Sequence, residues 1–474
     1  MFHVEHNYLL FNGINIIFVI SKTKKNISIM QLFDNFKIQF EQPNWQLDPE
    51  LGLVDSILDQ HPHLIAMLKE DIIGNEKPSQ FGRNDTPTVE QIVRAAIFIE
   101  LKKLDYRGLA YAQEDSRICA KFLRIDEKRP FSHQVYHKYI SKIQPESLEE
   151  LLFEINKIAI NEGLEDIERL RQDSTVVESD IHYPTNNALI WDCIKTSQNH
   201  LKSLAKEINE ENFRDYTKGA KKTYFKINVT KPKDKKRALF QKQLVTFTKS
   251  INQISNVIKK KENYDSIKAR AIIDELERLL PIMKQVYDVA YRKEINGEKV
   301  PNHEKIFSIY ERHTDIIVKG GRDVEFGHKI NLATGASNLV LHCDILQGNP
   351  SDKKLYAPML DKVIDTYGKV PRDSSDDGGY ASLENLKHAK KRGIVNIVFN
   401  KIVGSLKNQV SSQNIETRLK KWRSGIEANI SNIKRGFNLR RCRWKGWTRF
   451  KAKVLWSIIA YNIRVMTSLL IAQL

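Results

Sequence analysis

Arg171-Gln172-Asp173-Ser174-Thr175-Val176-Val177-Glu178-Ser179 is the stretch from which the fold is read. β-branched residues fill its second half and charged residues bound it, as in a strand. Leu170, Gln172, Ser174 and Val176 fall on one face. Arg171, Asp173, Thr175 and Val177 fall on the other. Asp173 then sits among apolar neighbours on a central strand. A carboxylate there is costly unless a metal ion, a cation or several donors offset its charge. The plainer alternative is an Asp that caps a turn, and the rest of the chain has to decide between them.

The chain has 474 residues, enough for two or three domains. Its formal charge is +18, which suits a polyanionic partner such as nucleic acid. Cys119, Cys193, Cys343 and Cys442 are far apart and form no Cys-x-x-Cys pair. That pattern speaks against a zinc site or disulfide framework and for a reducing, cytoplasmic compartment. No apolar run reaches membrane-spanning length, so no membrane partner is expected. Tyr8 to Ile20 is apolar but interrupted by Asn and Gly, and no small-residue cleavage site follows. Residues 1–29 read as a weakly ordered extension, with Met30 as an alternative start.

Residues 30–160 read as an all-α domain. Polar residues 73–86 form a linker, and then Thr86 caps a helix that has Pro87 in its first turn. The short helices after it, around Tyr106 to Ala110, Ile118 to Leu123 and Phe131 to Ile143, suit a helix-turn-helix-like DNA-binding module. Any small helical bundle would look similar. Residues 161–188 hold the Asp173 strand. A helical, Lys-rich insertion follows over 189–312, with Pro281 expected to bend or break one helix. Its basic cluster includes Lys218, Lys221, Lys222, Lys226 and Arg237 around Tyr224 and Phe225, either a phosphate-tracking surface or a solvated basic loop.

Residues 313–474 resume the sheet. Thr314 to Val318 has strand character, and Gly327 to Ala333 and Asn338 to Asp344 form a hairpin across Thr334-Gly335-Ala336. Asn349 to Asp352 caps a helix running to about Tyr367. Val370 to Asp377 is a strand, Ser382 to Arg392 a helix, Ile394 to Phe399 a strand and 404–414 a polar linker, and a final helical region starts near Ile415. With the insertion set aside, this is the order of the ribonuclease-H-like fold, an α/β core on a mixed sheet. In that topology the first and fourth strands are neighbours, so Asp173 and Asp377 would face one another. The paired glycines Gly378-Gly379 leave Asp377 exposed at the strand end.

Trp422, Ile426, Ile430, Ile433 and Phe437 form one apolar stripe on the final helix. Glu427 and Lys434 both lie to one side of it, two turns apart. Glu427 is the only acid between Arg418 and Lys453. It is either the third carboxylate of the site or a surface ion pair with Arg423. Close carboxylates repel unless divalent cations bridge them, and hard cations prefer oxygen ligands. Such a triad would support two-metal phosphodiester transfer, with Lys434 directed at a phosphate. Trp444, Trp447, Phe450 and Trp456 either stack on bases or pack in the core.

These residues, in order, resemble bacterial insertion-sequence transposases of the Asp-Asp-Glu class, nearest the ISNCY type. The carrying motifs are Asp173 to Ser179 with Ile181-His182-Tyr183-Pro184, Asp377-Gly378-Gly379-Tyr380, and Gly425-Ile426-Glu427 with Lys434-Arg435. Gly327-His328-Lys329, Gly348 to Asp352 and the tail from Arg440-Arg441 to Trp447 match intermediate elements. The resemblance covers about residues 86–474. It implies Asp173, Asp377 and Glu427 as catalytic and metal-binding acids. It also implies two Mg2+ ions, replaceable by Mn2+, and double-stranded DNA, both terminal inverted repeats and target, as partner. Lys221, Lys222, Arg423, Lys434, Arg435, Arg440 and Arg441 are the candidate DNA contacts. A nucleoid-associated protein is expected, and a homodimer is compatible with it. In this sequence Asp376 precedes Asp377 where the family has a small residue, so two neighbouring carboxylates compete for the second position. A nuclease that does not join strands and an inactive DNA-binding regulator remain as alternatives.

Overall fold

The structure is a computed structural model that describes residues 27–33, 36–41, 45–74, 86–126, 129–209, 213–319, 323–400, 402 and 406–473. Most of the expected N-terminal extension, including Tyr8 to Ile20, and the linker at 75–85 lie outside these residues. The first described element is an antiparallel hairpin of β1 (Ile27–Phe33) and β2 (Phe36–Glu41). This corrects the all-α expectation for the first part of the chain.

Helices follow at Pro49–Gln60, Val89–Lys102, Tyr106–Asp115, Arg117–Phe122, His133–Ile140 and Pro145–Asn161. The second begins two residues later than expected. Thr88, not Thr86, caps it, because Thr88 and Gln91 satisfy each other's backbone N–H groups in a capping box.

The main sheet begins with β3 (Arg169–Ser179). Four long helices then intervene, Asn186–Ile208, Thr217–Val229, Lys233–Lys259 and Ile267–Ala290. Among the described residues no strand lies between β3 and β4. Pro281 does not break its helix. The proline removes one helical donor, and burial of Leu279, Ile282, Met283 and Val286 around it offsets that loss. These helices form a hydrophobic core of their own, centred on Leu201, Phe247, Ile273 and Met283.

The chain returns to the sheet through β4 (Asp315–Lys319), β5 (Asp323–Thr334) and β6 (Val340–Ile345). The helix Tyr356–Tyr367 precedes β7 (Asp373–Asp376), and Leu383–Lys391 precedes β8 (Asn396–Phe399). Asp352 lies in a 3-10 turn, Asp352–Lys354, ahead of the first of these helices. β9 (Arg441–Cys442) is a short late addition.

The sheet order is β4-β5-β3-β7-β8, with β6 also on β5 and β9 also on β3. β5 runs antiparallel to β3, and β7 and β8 run parallel to it. β7 joins β3 only at Arg169 and Leu170, and β9 joins it only at Glu178 and Ser179. The middle of that edge, beside Asp173, therefore has no strand partner. The helix Gly425–Gly436 packs there instead.

One face of the sheet, with Leu170 and Phe399, packs on Met359, Leu360 and Val363. The other, with Val177, Ile330 and Leu332, joins a core shared by the N-terminal helices and the long C-terminal helix Trp447–Gln473. That helix is long and apolar enough to cross a membrane by composition, yet 67% of its apolar window is buried inside the protein. Phe450 and Trp456 are core residues. Trp447 and Trp444 pack on the same core half-buried, so the tail aromatics serve mainly as packing.

Candidate functional site

Three carboxylates from three distant parts of the chain meet at one guanidinium. Arg423 Nη2 lies 3.2 Å from Asp173 Oδ2 and 3.7 Å from Asp377 Oδ1. Arg423 Nη1 lies 2.9 Å from Glu427 Oε1. The ion pair expected as the plainer account of Glu427 is therefore real, and it forms inside the carboxylate cluster.

Each acid is placed by its element. Asp173 projects from β3 where the bare edge meets the helical pair, with its side chain 19% exposed. Its Oδ1 accepts the Ser174 N–H at 2.8 Å. Burial pushes Asp173 up to about 6, and Arg423 and the Ser174 N–H pull against that. Asp377 and Asp352 add to the rise through their negative charge. Asp377 stands just past the end of β7, opening the turn Gly378–Tyr380. Glu427 lies in the first turn of Gly425–Gly436, where a negative charge suits the positive helix end.

Asp376 has a different environment. It is fully buried, and its Oδ1 accepts the Gln172 N–H at 2.6 Å, continuing the β3–β7 ladder through a side chain. Its Oδ2 accepts from Ser374 Oγ at 2.7 Å. Burial pushes its carboxyl up to about 7 against those two hydrogen bonds. Of the two neighbours, Asp377 is the one that touches Arg423.

The final helix of the sequence reading is two helices, Gln413–Arg423 and Gly425–Gly436, jointed at Ser424. Arg171, which the sequence reading passed over, explains the joint. Its side chain is buried, and it donates to Thr334 Oγ1 at 3.0 Å, to Asn338 Oδ1 at 2.5 Å and to the Trp422 carbonyl. Its guanidinium covers the Trp422 ring at 4.5 Å. A Cβ on Gly425 would stand 2.6 Å from Arg171 Nη1, so a larger residue at that point would displace the guanidinium from these hydrogen bonds. The signal was present in the sequence: Arg171 shares the Asp173 face of the strand.

Arg423 is buried to 7% exposure, which corrects its expected place among surface DNA contacts. Its guanidinium is engaged by the acids. Lys434 is half-buried and Arg435 exposed, on the helix that carries Glu427. Arg440 is exposed. Arg441 is exposed too, but binds Glu178 Oε2 through Nε at 3.0 Å and Nη2 at 2.7 Å. Lys221 and Lys222 are exposed on the helix Thr217–Val229. From Tyr216 to Lys261 the sole acid is Asp234, so this part of the insertion presents a basic surface that carries exposed Phe225.

Among the described residues, no group of three or more His, Cys, Asp or Glu side chains is arranged to hold a metal ion. The three acids converge on Arg423 rather than on a common point between themselves. Their oxygens are nonetheless the donors a hard divalent cation takes, and a half-exposed rim leaves Asp377 and Glu427 open to solvent.

Residues 309–463 match the family model described as a transposase DDE domain. Over that segment, about a third of the chain, the sequence is similar to a transposase DDE domain. The match begins at the end of the insertion, so it includes Asp377 and Glu427 and leaves Asp173 outside. Comparison with curated proteins and with solved structures gave no match.

Proposed function

We propose that the protein is a DNA transposase that cleaves phosphodiester bonds at terminal inverted repeats and joins the freed 3′-hydroxyl ends to target DNA. Asp173, Asp377 and Glu427 are its catalytic acids, on a ribonuclease-H-like core interrupted by the insertion at 189–312. The observation that carries this reading is the meeting of the three carboxylates on Arg423, beside a family match that contains two of them.

Asp173, Asp377 and Glu427 would hold two Mg2+ ions once Arg423 withdraws, and bound metal supplies activation of the attacking oxygen and charge neutralisation at the leaving one. The chain's own residues do the rest. Asp173 is held partly desolvated, so its charge is best satisfied by a cation and Arg423 fills that need in this state. The jointed helices bring Arg423 and Glu427 to the bare edge of β3 together, so moving one cation changes the neutralisation of all three acids. Lys434, Arg435, Arg440 and Arg441 continue a basic track from the site. Lys221 and Lys222, exposed on the insertion, add phosphate contacts that set affinity rather than sequence. The helical module within 30–160 reads the repeats.

The test incubates the full chain and Mg2+ with linear DNA ending in the repeats that flank the gene, together with a circular target. Joined products with the repeat 3′-ends covalently attached to target are expected. Cleaved ends without joining would make the protein a nuclease. Specific binding with neither product would make it a regulator.

A further inference from the structure

Behind the two aspartates, on the opposite face of β3, lies a second ionic cluster. Lys329 on β5 is 5% exposed, and its Nζ lies 2.7 Å from Asp352 Oδ1. The same Nζ donates to the Pro350 carbonyl at 2.8 Å. A buried ammonium is costly without such partners, so Lys329 holds the segment from Pro350 to Asp352 against the sheet. Asp352 then reaches two further places. Its Oδ1 accepts from Ser174 Oγ at 3.0 Å, one residue beyond Asp173. Its Oδ2 would lie 3.0 Å from a Cβ on Gly379, two residues beyond Asp377.

We propose that Asp352 is a positioning residue that sets the spacing between Asp173 and Asp377, with Lys329 locking it in place. This rests on the reading of those two acids as metal ligands. Asp352 is a wedge between the strand that carries one acid and the turn that carries the other. Asn385 Nδ2 reinforces the wedge, since it donates to both the Lys353 and the Tyr380 carbonyls at 2.8 Å. The Tyr380 hydroxyl donates to buried Asn331 at 2.6 Å and anchors the far end of the turn. Gly379 has no left-handed backbone that would require glycine, and a Cβ there would press on Asp352 Oδ2, so that the carboxylate would have to give way by a few tenths of an ångström. Two metal-binding carboxylates need fixed separation within a fraction of an ångström, and neighbours of this kind supply it.

The experiment measures Mn2+ binding to the full chain by electron paramagnetic resonance, with DNA binding in EDTA in parallel. The variants are Asp173→Asn, Asp352→Ala and Gly379→Ala. Asp173→Asn should remove Mn2+ binding. Asp352→Ala and Gly379→Ala should each weaken it about tenfold, as observed for outer partners of metal ligands. DNA binding in EDTA should stay within twofold. If Asp173→Asn weakens Mn2+ binding while the other two do not, the positioning role is wrong and the acid site stands. If Asp173→Asn binds Mn2+ as the unaltered chain does, the acid reading itself fails. Parallel loss of Mn2+ and DNA binding would show a merely structural pair and also overturn the inference. Gly379→Ala decides the matter if Asp352→Ala does not fold, because it keeps both the Lys329 and the Asp352 side chains.

Discussion

At Asp376 and Asp377, adjacent carboxylates have opposite surroundings. Asp377 is partly exposed beside Arg423, whereas Asp376 is buried and spends both oxygens on the β3–β7 junction. The sequence could name the pair but could not separate its members, because side-chain alternation predicts a face only where the strand continues. β7 is four residues long and ends at Asp376, whereas the sequence reading carried the strand on through Asp377. Asp376 makes a prediction about pH. Burial raises its folded pKa to about 7, above the ordinary 3.8 that it keeps when unfolded. The folded chain then binds the extra proton, so this group costs no stability below about pH 4, and stability is lost as pH rises towards 7. Asp173, raised to about 6, adds a fall of the same sign. Urea unfolding from pH 4 to 7.5 should show a decline that Asp376→Asn flattens. An unchanged slope in the variant would mean that Asp376 is not the titrating group.

The element that matters most is the jointed pair Gln413–Arg423 and Gly425–Gly436. The stripe from Trp422 to Phe437 was legible, and so was the isolation of Glu427 among basic residues. The break at Ser424 was not, because it depends on Arg171 from a strand some 250 residues away. Likewise, periodicity placed Arg423 on a helix but could not say that its charge would turn inward to three acids. If Arg423 stands in for metal there, its removal exposes their mutual repulsion. Arg423→Met should lower the melting temperature without metal, and Mg2+ should then raise it by more than in the unaltered chain. An equal Mg2+ effect in both proteins would show that guanidinium and metal do not compete.

Across the whole molecule, the strand order, the helical insertion and the return to the sheet followed from alternating and helical periodicities. The shared core did not. The N-terminal helices and the C-terminal helix Trp447–Gln473 bury one continuous apolar surface, with Lys453 and Glu100 paired inside it at 2.5 Å. Each segment seemed a domain of its own in sequence, since periodicity shows an apolar face and not its partner. The insertion keeps a separate core, as its unbroken run of amphipathic helices suggests. Its basic surface should work additively with the rest of the DNA track. Lys221→Ala with Lys222→Ala should weaken binding to repeat and random DNA alike and reduce the salt slope by about two. An unchanged slope would leave that surface off the DNA.

The central claim is that acids from β3, from the end of β7 and from the helix after the joint act as one catalytic site. The measurement that tests it most directly is the rate of Mg2+-dependent cleavage of repeat-ended DNA by Asp173→Asn, the acid outside the family match, with DNA binding measured on the same preparation. The account predicts that cleavage falls by about a thousandfold or more, as expected when a metal-binding charge is lost, while binding stays within threefold. Cleavage at the normal rate by Asp173→Asn would contradict it.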